Sequence, residues 1–178
     1  MHPAPDTAPS TPCGIALGSN LGDRLDNFQR GLHEVLARIP GAVLLAAAPV
    51  YETAPVGCPP GSQSFYNSVV ELACPLAPHA LHRVLQAVEA LLGRPGERER
   101  NAPRPLDLDI LYAGGLRLND EVLTIPHPRL HTRRFVLQPL AGIRPGLVLP
   151  GQSHTVRQLL DALEDDPGSV TPVAHDWA

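Results

Sequence analysis

Arg104-Pro105-Leu106-Asp107-Leu108-Asp109-Ile110-Leu111-Tyr112 is the stretch around which the chain is organised. Its alternation predicts a strand with Leu106, Leu108 and Ile110 on one face and Asp107 and Asp109 on the other. Two carboxylates one residue apart on a strand face sit roughly 7 Å apart at the backbone, from the rise per residue. Such a pair can bracket hard cations. It can equally be the wetted outer face of an edge strand, and for an Asp-x-Asp taken alone that is the better reading.

The chain has 178 residues and a formal net charge of −4, enough for one domain with a core and no footprint of a general nucleic-acid or anionic-membrane binder. All 14 of its basic residues are Arg. The absence of Lys excludes a Walker A loop, a Schiff-base lysine and a lysine nucleophile, and leaves anion handling to guanidinium groups and backbone. Cys13, Cys58 and Cys74 form no CxxC pair, so neither a disulfide framework nor a zinc knuckle is expected. No apolar run reaches the length of a membrane span, and the N-terminus lacks the regions of a signal peptide. These features predict a cytoplasmic protein that is a monomer.

Outward from the aspartates, the elements follow from spacing and punctuation. Residues 1–12 hold four prolines among small residues and are expected to be a disordered leader. Ile15-Ala16-Leu17 predicts a first strand. The Gly18-to-Asp23 turn then feeds a helix carrying Leu25, Phe28, Leu32, Val35 and Leu36; a helix start after such a turn can hold an anion, though plain punctuation is the commoner role. Val43–Tyr51 predicts a second strand, followed by a Pro/Gly-rich loop, and Phe65–Leu72 a third. A helix opens at Pro78, carries Leu81, Val84, Leu85, Val88, Leu91 and Leu92, and ends at Gly93. Residues 94–104 are charged and prolyl, which predicts a mobile loop running into the Asp strand. Gly114-Gly115 signals a hairpin. Short helices are expected over His131–Leu140 and Val156–Leu163, with a poorly anchored tail at 166–178. The order β-α-β-β-α-β predicts an α+β sandwich of ferredoxin-like type, a mainly antiparallel sheet with helices packed on one side, in one domain over 13–165.

Phosphoryl transfer consists largely of positioning and charge neutralisation. Asp107 and Asp109 suit Mg²⁺, which keeps water and phosphate oxygens in its shell, and Arg94 and Arg104 stand directly before them to grip phosphates. At these residues the sequence resembles the 6-hydroxymethyl-7,8-dihydropterin pyrophosphokinase family of the folate pathway. The resemblance is carried by Arg104-Pro105-Leu106-Asp107-Leu108-Asp109-Ile110, Gly18-Ser19-Asn20-Leu21-Gly22, Tyr51-Glu52-Thr53-Ala54-Pro55-Val56-Gly57, Phe65-Tyr66-Asn67, Leu92-Gly93-Arg94 and Ile125-Pro126-His127-Pro128-Arg129 leading to Phe135. It spans about Ile15 to Leu163.

The resemblance implies transfer of the terminal diphosphate of ATP to the hydroxymethyl group of the pterin, with AMP leaving. It further implies two Mg²⁺ ions at Asp107 and Asp109, and phosphate contacts from Arg94, Arg104 and His127. Arg133 would clamp the nucleotide, with Gln86 and Glu89 near it. The pterin would lie between Phe65 and Phe135, its edge read by Asn67 and by backbone near Thr53, Ala54 and Val56. Stacking suits a planar heterocycle, and an amide offers both a donor and an acceptor.

The chain departs from the family in its loop. Asn101-Ala102 stands where Trp-Gly is usual, and Gly96 where an arginine is common, so turnover is expected to suffer more than pterin binding. Two other function classes remain at this point: a binder of nucleotide or pterin that forms no AMP, and a metal-dependent phosphohydrolase that needs no pterin acceptor.

Overall fold

The computed structural model describes residues 10–55, 61, 63–93, 103–163 and 170–178. The first strand, β1 (Thr11–Ser19), leads through the turn into helix α1 (Arg24–Arg38). Asp23 caps that helix, its carboxylate accepting from the N–H groups of Leu25 and Asp26 at 3.2 and 3.0 Å. With its first amides already met by a carboxylate, the turn is punctuation rather than an anion site.

The next apolar stretch is two strands, β2 (Val43–Ala47) and β3 (Val50–Thr53), instead of the single strand expected. Pro49 between them has no N–H to contribute to a ladder. Both pair with the long strand β4 (Phe65–Cys74), β2 against its C-terminal half and β3 against its start. Helix α2 (Pro78–Leu91) begins on its proline, and the chain turns away at Gly93, φ +93°. Strand β5 (Asp107–Ala113) starts later than expected, beyond Pro105. A two-residue hairpin, β6 (Leu118–Asn119) with β7 (Thr124–Ile125), leads to helices α3 (Arg134–Ile143) and α4 (Val156–Asp161) and a last strand, β8 (Thr171–Ala174).

The sheet runs β5-β1-β4-β3-β8, with β2 also on β4, and every pairing is antiparallel. The expected antiparallel α+β fold is therefore present, but helices lie on both faces rather than one. Phe28, Leu32 and Val35 of α1 and Leu81, Leu85 and Val88 of α2 pack with Ile15, Leu72, Leu106, Leu108 and Ile110. Val136, Leu137 and Leu140 of α3 and Leu160 of α4 cover Val69, Leu111 and Tyr112 on the opposite face. Nothing in the sequences of α3 and α4 says which side of the sheet they cover.

Residues 11–12 and 171–177 are tied more firmly than composition predicts. Thr11 and Pro12, read as leader, pair with Cys74 and Ala73; residues 1–9 lie outside the described residues. The tail reading is corrected from Val170 onward. Strand β8 pairs with β3, and Trp177, 4% exposed, packs its ring 5.5 Å from that of Phe28 and donates its indole N–H to the Ala48 carbonyl at 2.7 Å.

A bulge in β5 shapes the second face. Ile15 opposes Ile110 and Gly14 opposes Tyr112, so Leu111 is the extra residue, and Leu111 and Tyr112 both pack beneath α3. A Cβ on Gly14 would stand 2.2 Å from the Tyr112 ring, so only glycine admits the ring there. The phenol hydroxyl then donates to Glu71 at 2.7 Å, and Arg144, at the end of α3, donates to the other Glu71 oxygen at 2.8 Å through Nε.

Candidate functional site

The second face of the sheet is only partly covered by α3 and α4, and the rest is a cavity of about 380 Å³. Its floor follows from register. Asp109 is paired with Ala16 and Asp107 with Gly18, while Gly18 also pairs with Asn67. Small residues on central β1 thus leave the space into which the flanking strands present their polar groups. β5 is an edge strand by hydrogen bonding, as the modest reading of Asp-x-Asp supposes, yet its aspartates line the cavity and are only partly exposed.

Arg104 is positioned from two sides. Its guanidinium meets Asp107 at 3.0 Å, and Asn20 accepts from its backbone N–H at 2.9 Å while donating its own N–H to the Arg104 carbonyl at 3.2 Å. Asn27 holds this turn in place by donating to the Leu21 carbonyl at 2.9 Å. The Gly18-to-Asp23 turn is thus a brace for the arginine. Among the described residues the buried Nε of Arg104 has no acceptor, and Arg104 lines the cavity. Replacing Asn20 with Ala is expected to lower kcat/KM about tenfold, the scale of one lost hydrogen bond to a working backbone position. Steady-state rates with ATP varied test this; an unchanged value would show that Arg104 needs no brace.

His127 follows β7 and donates its backbone N–H to Leu111 at 2.9 Å. Its Nδ1 accepts from the Arg129 N–H at 3.2 Å, which leaves Nε2 as the N–H donor of the neutral ring. Burial pushes its pKa below the ordinary value; Asp109 pulls it back in part, and Arg133 and Arg129 push it further down. Arg133 is itself lowered, mainly by burial, then by Arg129, and its guanidinium carbon stands 5.4 Å from the centre of the Phe135 ring. Phe65 and Phe135 line the same cavity, from β4 and α3. Asn67, 7% exposed, donates to the Thr53 hydroxyl at 2.8 Å, which fixes its amide so that Oδ1 lies over Gly18.

The fold thus brings together Thr53, Ala54, Phe65, Asn67, Arg104, Asp107, Asp109, His127, Arg133 and Phe135. Val56 and Arg94 lie outside the described residues, as do Gly96, Asn101 and Ala102. Gln86 and Glu89, expected near the nucleotide, are not among the residues that line this cavity. Gln86 is on the exposed face of α2, and Glu89 is 4% exposed behind the sheet edge, accepting from the Leu108 N–H at 2.7 Å. An acidic residue at that helical position reads as facing water because its partner, the Leu108 amide of an edge strand, is invisible in local sequence. Glu89 thus satisfies the backbone of the residue between the two aspartates. Sequence reasoning also passed over Glu71, Asn27 and Val170.

A cation at this site has two carboxylates to meet. Among the described residues no group of three or more His, Cys, Asp or Glu is arranged to hold a metal. That donor set fits Mg²⁺, which completes its shell with water and phosphate, better than an ion needing an all-protein cage.

Known proteins place this arrangement. The family model for 7,8-dihydro-6-hydroxymethylpterin-pyrophosphokinase (HPPK) matches residues 14–145. The chain is 40% identical over 159 residues to a 2-amino-4-hydroxy-6-hydroxymethyldihydropteridine pyrophosphokinase of Methylorubrum extorquens, covering 89% of this chain and 96% of that one. It is 38% identical to the protein of the same name from Pseudomonas aeruginosa, with 87% and 96% covered. A mitochondrial folate synthesis bifunctional protein of Pisum sativum is 43% identical over 129 residues, 72% of this chain but 24% of that protein. The fold matches a solved HPPK-DHPS chain of Plasmodium falciparum with a TM-score of 0.69 at 14% identity, over 88% of this chain and 46% of that one. A match that contains most of β1, the Asp-bearing strand and His127, joined to 38–40% identity over nearly the full length of the bacterial proteins, decides the assignment: the chain belongs to the 7,8-dihydro-6-hydroxymethylpterin-pyrophosphokinase family.

Proposed function

We propose that this chain transfers the diphosphate of ATP to 6-hydroxymethyl-7,8-dihydropterin, giving AMP and the pterin diphosphate, and that Asp107 and Asp109 hold two Mg²⁺ ions with the nucleotide. The carrying observation is that one cavity is lined by both aspartates, by Arg104, Arg133 and His127, and by Phe65, Asn67 and Phe135. Anion handling and planar-ring binding therefore share a wall.

In this reading the pterin lies against Phe65 and Phe135, and its edge meets Asn67 Oδ1 and the Thr53 hydroxyl. The hydroxymethyl oxygen attacks the β-phosphorus, and the bond to the α,β-bridging oxygen breaks, that oxygen staying with AMP. Arg104 and Arg133 fix the phosphates, and His127, with Nδ1 already accepting, donates through Nε2 to a phosphate oxygen. His127 is therefore a donor rather than a base, and the hydroxyl proton leaves to solvent or phosphate. When bound, the Mg²⁺ ions neutralise charge on the bridging and leaving oxygens. Alignment of the two substrates and charge compensation lower the barrier without a dedicated base.

Incubation with ATP, Mg²⁺ and hydroxymethyldihydropterin is expected to release AMP only when the pterin is present. Binding of both ligands without AMP would make the protein a binder; AMP or phosphate released without pterin would make it a hydrolase. Phe135→Ala is expected to weaken pterin binding about tenfold, the scale of one lost stacking contact, with ATP affinity retained. Calorimetry with each ligand checks this, and parallel loss of both affinities would contradict the stacking role.

A further inference from the structure

We propose that the C-terminal strand is part of the pterin site: Val170 forms a wall that sets how well the pterin fits, and Trp177 is the positioning residue that holds the strand there. The proposal rests on the pterin-binding reading above and deepens it. Val170 lines the same cavity as Thr53, Ala54 and Phe65, although it lies beyond residue 145, where the family match ends. The register explains how it gets there. Strand β8 pairs with the outer edge of β3, Ala174 opposite Val50, Pro172 opposite Tyr51 and Thr171 opposite Glu52. Val170 immediately precedes β8, and the same register carried one residue further sets it level with Thr53, the residue whose hydroxyl accepts from Asn67.

A four-residue strand on a sheet edge is a weak attachment by itself. Trp177 supplies the rest. Its indole N–H donates to the Ala48 carbonyl at 2.7 Å, its ring packs on Phe28, and its own carbonyl accepts from Gln29 at 3.1 Å. Ala48 immediately precedes Pro49 and β3, so the indole grips the chain where it enters the strand that reads the pterin edge. The far end of β8 is thereby fixed to α1 and to the β2–β3 junction, and Val170 at the near end is held against the cavity.

The test uses the full chain with Val170→Phe, Val170→Ala, Trp177→Ala and Trp177→Phe. Kd is measured separately for hydroxymethyldihydropterin and for ATP, and KM and kcat for both. Trp177 is the single tryptophan, so its emission reports in the Val170 variants whether the strand stays docked. Val170→Phe is expected to raise the pterin Kd about tenfold or more by overfilling the wall, and Val170→Ala about two- to threefold, with ATP Kd unchanged. Trp177→Ala is expected to raise the pterin KM several-fold without a matching change in ATP KM or kcat, and Trp177→Phe, which keeps the ring on Phe28, to recover part of it. An unchanged pterin Kd in Val170→Phe would overturn the wall. Equal losses for ATP and pterin in the Trp177 variants would reduce Trp177 to a stabiliser of the fold and overturn its positioning role. A parent protein that binds no pterin would overturn the functional reading itself, and the wall with it, which sets that failure apart from the others.

Discussion

An Asp109→Ala protein is expected to fold as its parent does and to lose turnover by on the order of a thousandfold or more. The size follows from the work assigned to the carboxylate. Charge stabilisation by a bound cation contributes several kcal/mol at the transition state, and each 1.4 kcal/mol or so is a factor of about ten in rate. The fold should survive because Asp109 faces the cavity, while its neighbours Leu108 and Ile110 carry the packing on the opposite face. Removing the carboxylate also leaves Arg133, Arg104 and His127 with less compensating charge, since Asp109 is one of the groups that offset the positive field at His127 and Arg133. Nucleotide phosphates can then still bind, so the loss should appear in kcat more than in ATP affinity. Asp109→Asn, which keeps the shape but not the charge, should behave alike. Circular dichroism and thermal melts establish folding, and Mg²⁺ titration of the residual rate tests the ligand role. A folded Asp109→Ala enzyme with parental turnover would sink the assignment of this residue to metal.

Much of this site can be read from the chain because its parts are local. Leu106, Leu108 and Ile110 alternate with the aspartates, and the alternation survives in the structure. Helix α1 is legible from the Gly18-to-Asp23 turn that feeds it and from the spacing of Phe28, Leu32 and Val35. What is not legible depends on pairing between distant segments. A period-two pattern cannot reveal the extra residue at Leu111, since a bulge is a property of two strands together. The partner of Trp177 is a carbonyl 129 residues away, so the tail reads as polar and prolyl until β3 is placed beside it. Glu89 and Gln86 illustrate the same limit within one helix. Both suit a wet face, but α2 docks so that one satisfies the Leu108 amide and the other meets solvent.

Glu71 is the case in which a polar residue in an apolar strand matters more for stability than for chemistry. It lies on the cavity face of β4, 3% exposed, with Tyr112 donating to one oxygen and Arg144 to the other. The three groups join β4, β5 and the end of α3, the helix whose first turn carries Phe135. Glu71→Ala is expected to cost about 2–3 kcal/mol, chiefly because the buried Tyr112 hydroxyl loses its acceptor. Arg144, 44% exposed, can turn to water, so the larger penalty of stranding a fully buried charge does not apply. Glu71→Gln keeps an acceptor for Tyr112 and should cost about 1 kcal/mol.

The pH dependence has a definite sign. Burial pushes the Glu71 carboxyl up, but the hydrogen bonds from Arg144 and Tyr112 and the Arg144 charge together outweigh it and hold the group below its ordinary 4.5. A depressed folded pKa means that the stabilisation is fully present above the unfolded value and is lost as pH falls through the folded one. The advantage of the parent over Glu71→Gln should therefore be constant from neutral pH down to about the ordinary carboxylate value and shrink below it. Urea unfolding of both proteins across that range measures the difference directly. An advantage that persists undiminished into strong acid would show that neutral hydrogen bonding, rather than the ionised carboxylate, holds these three elements together.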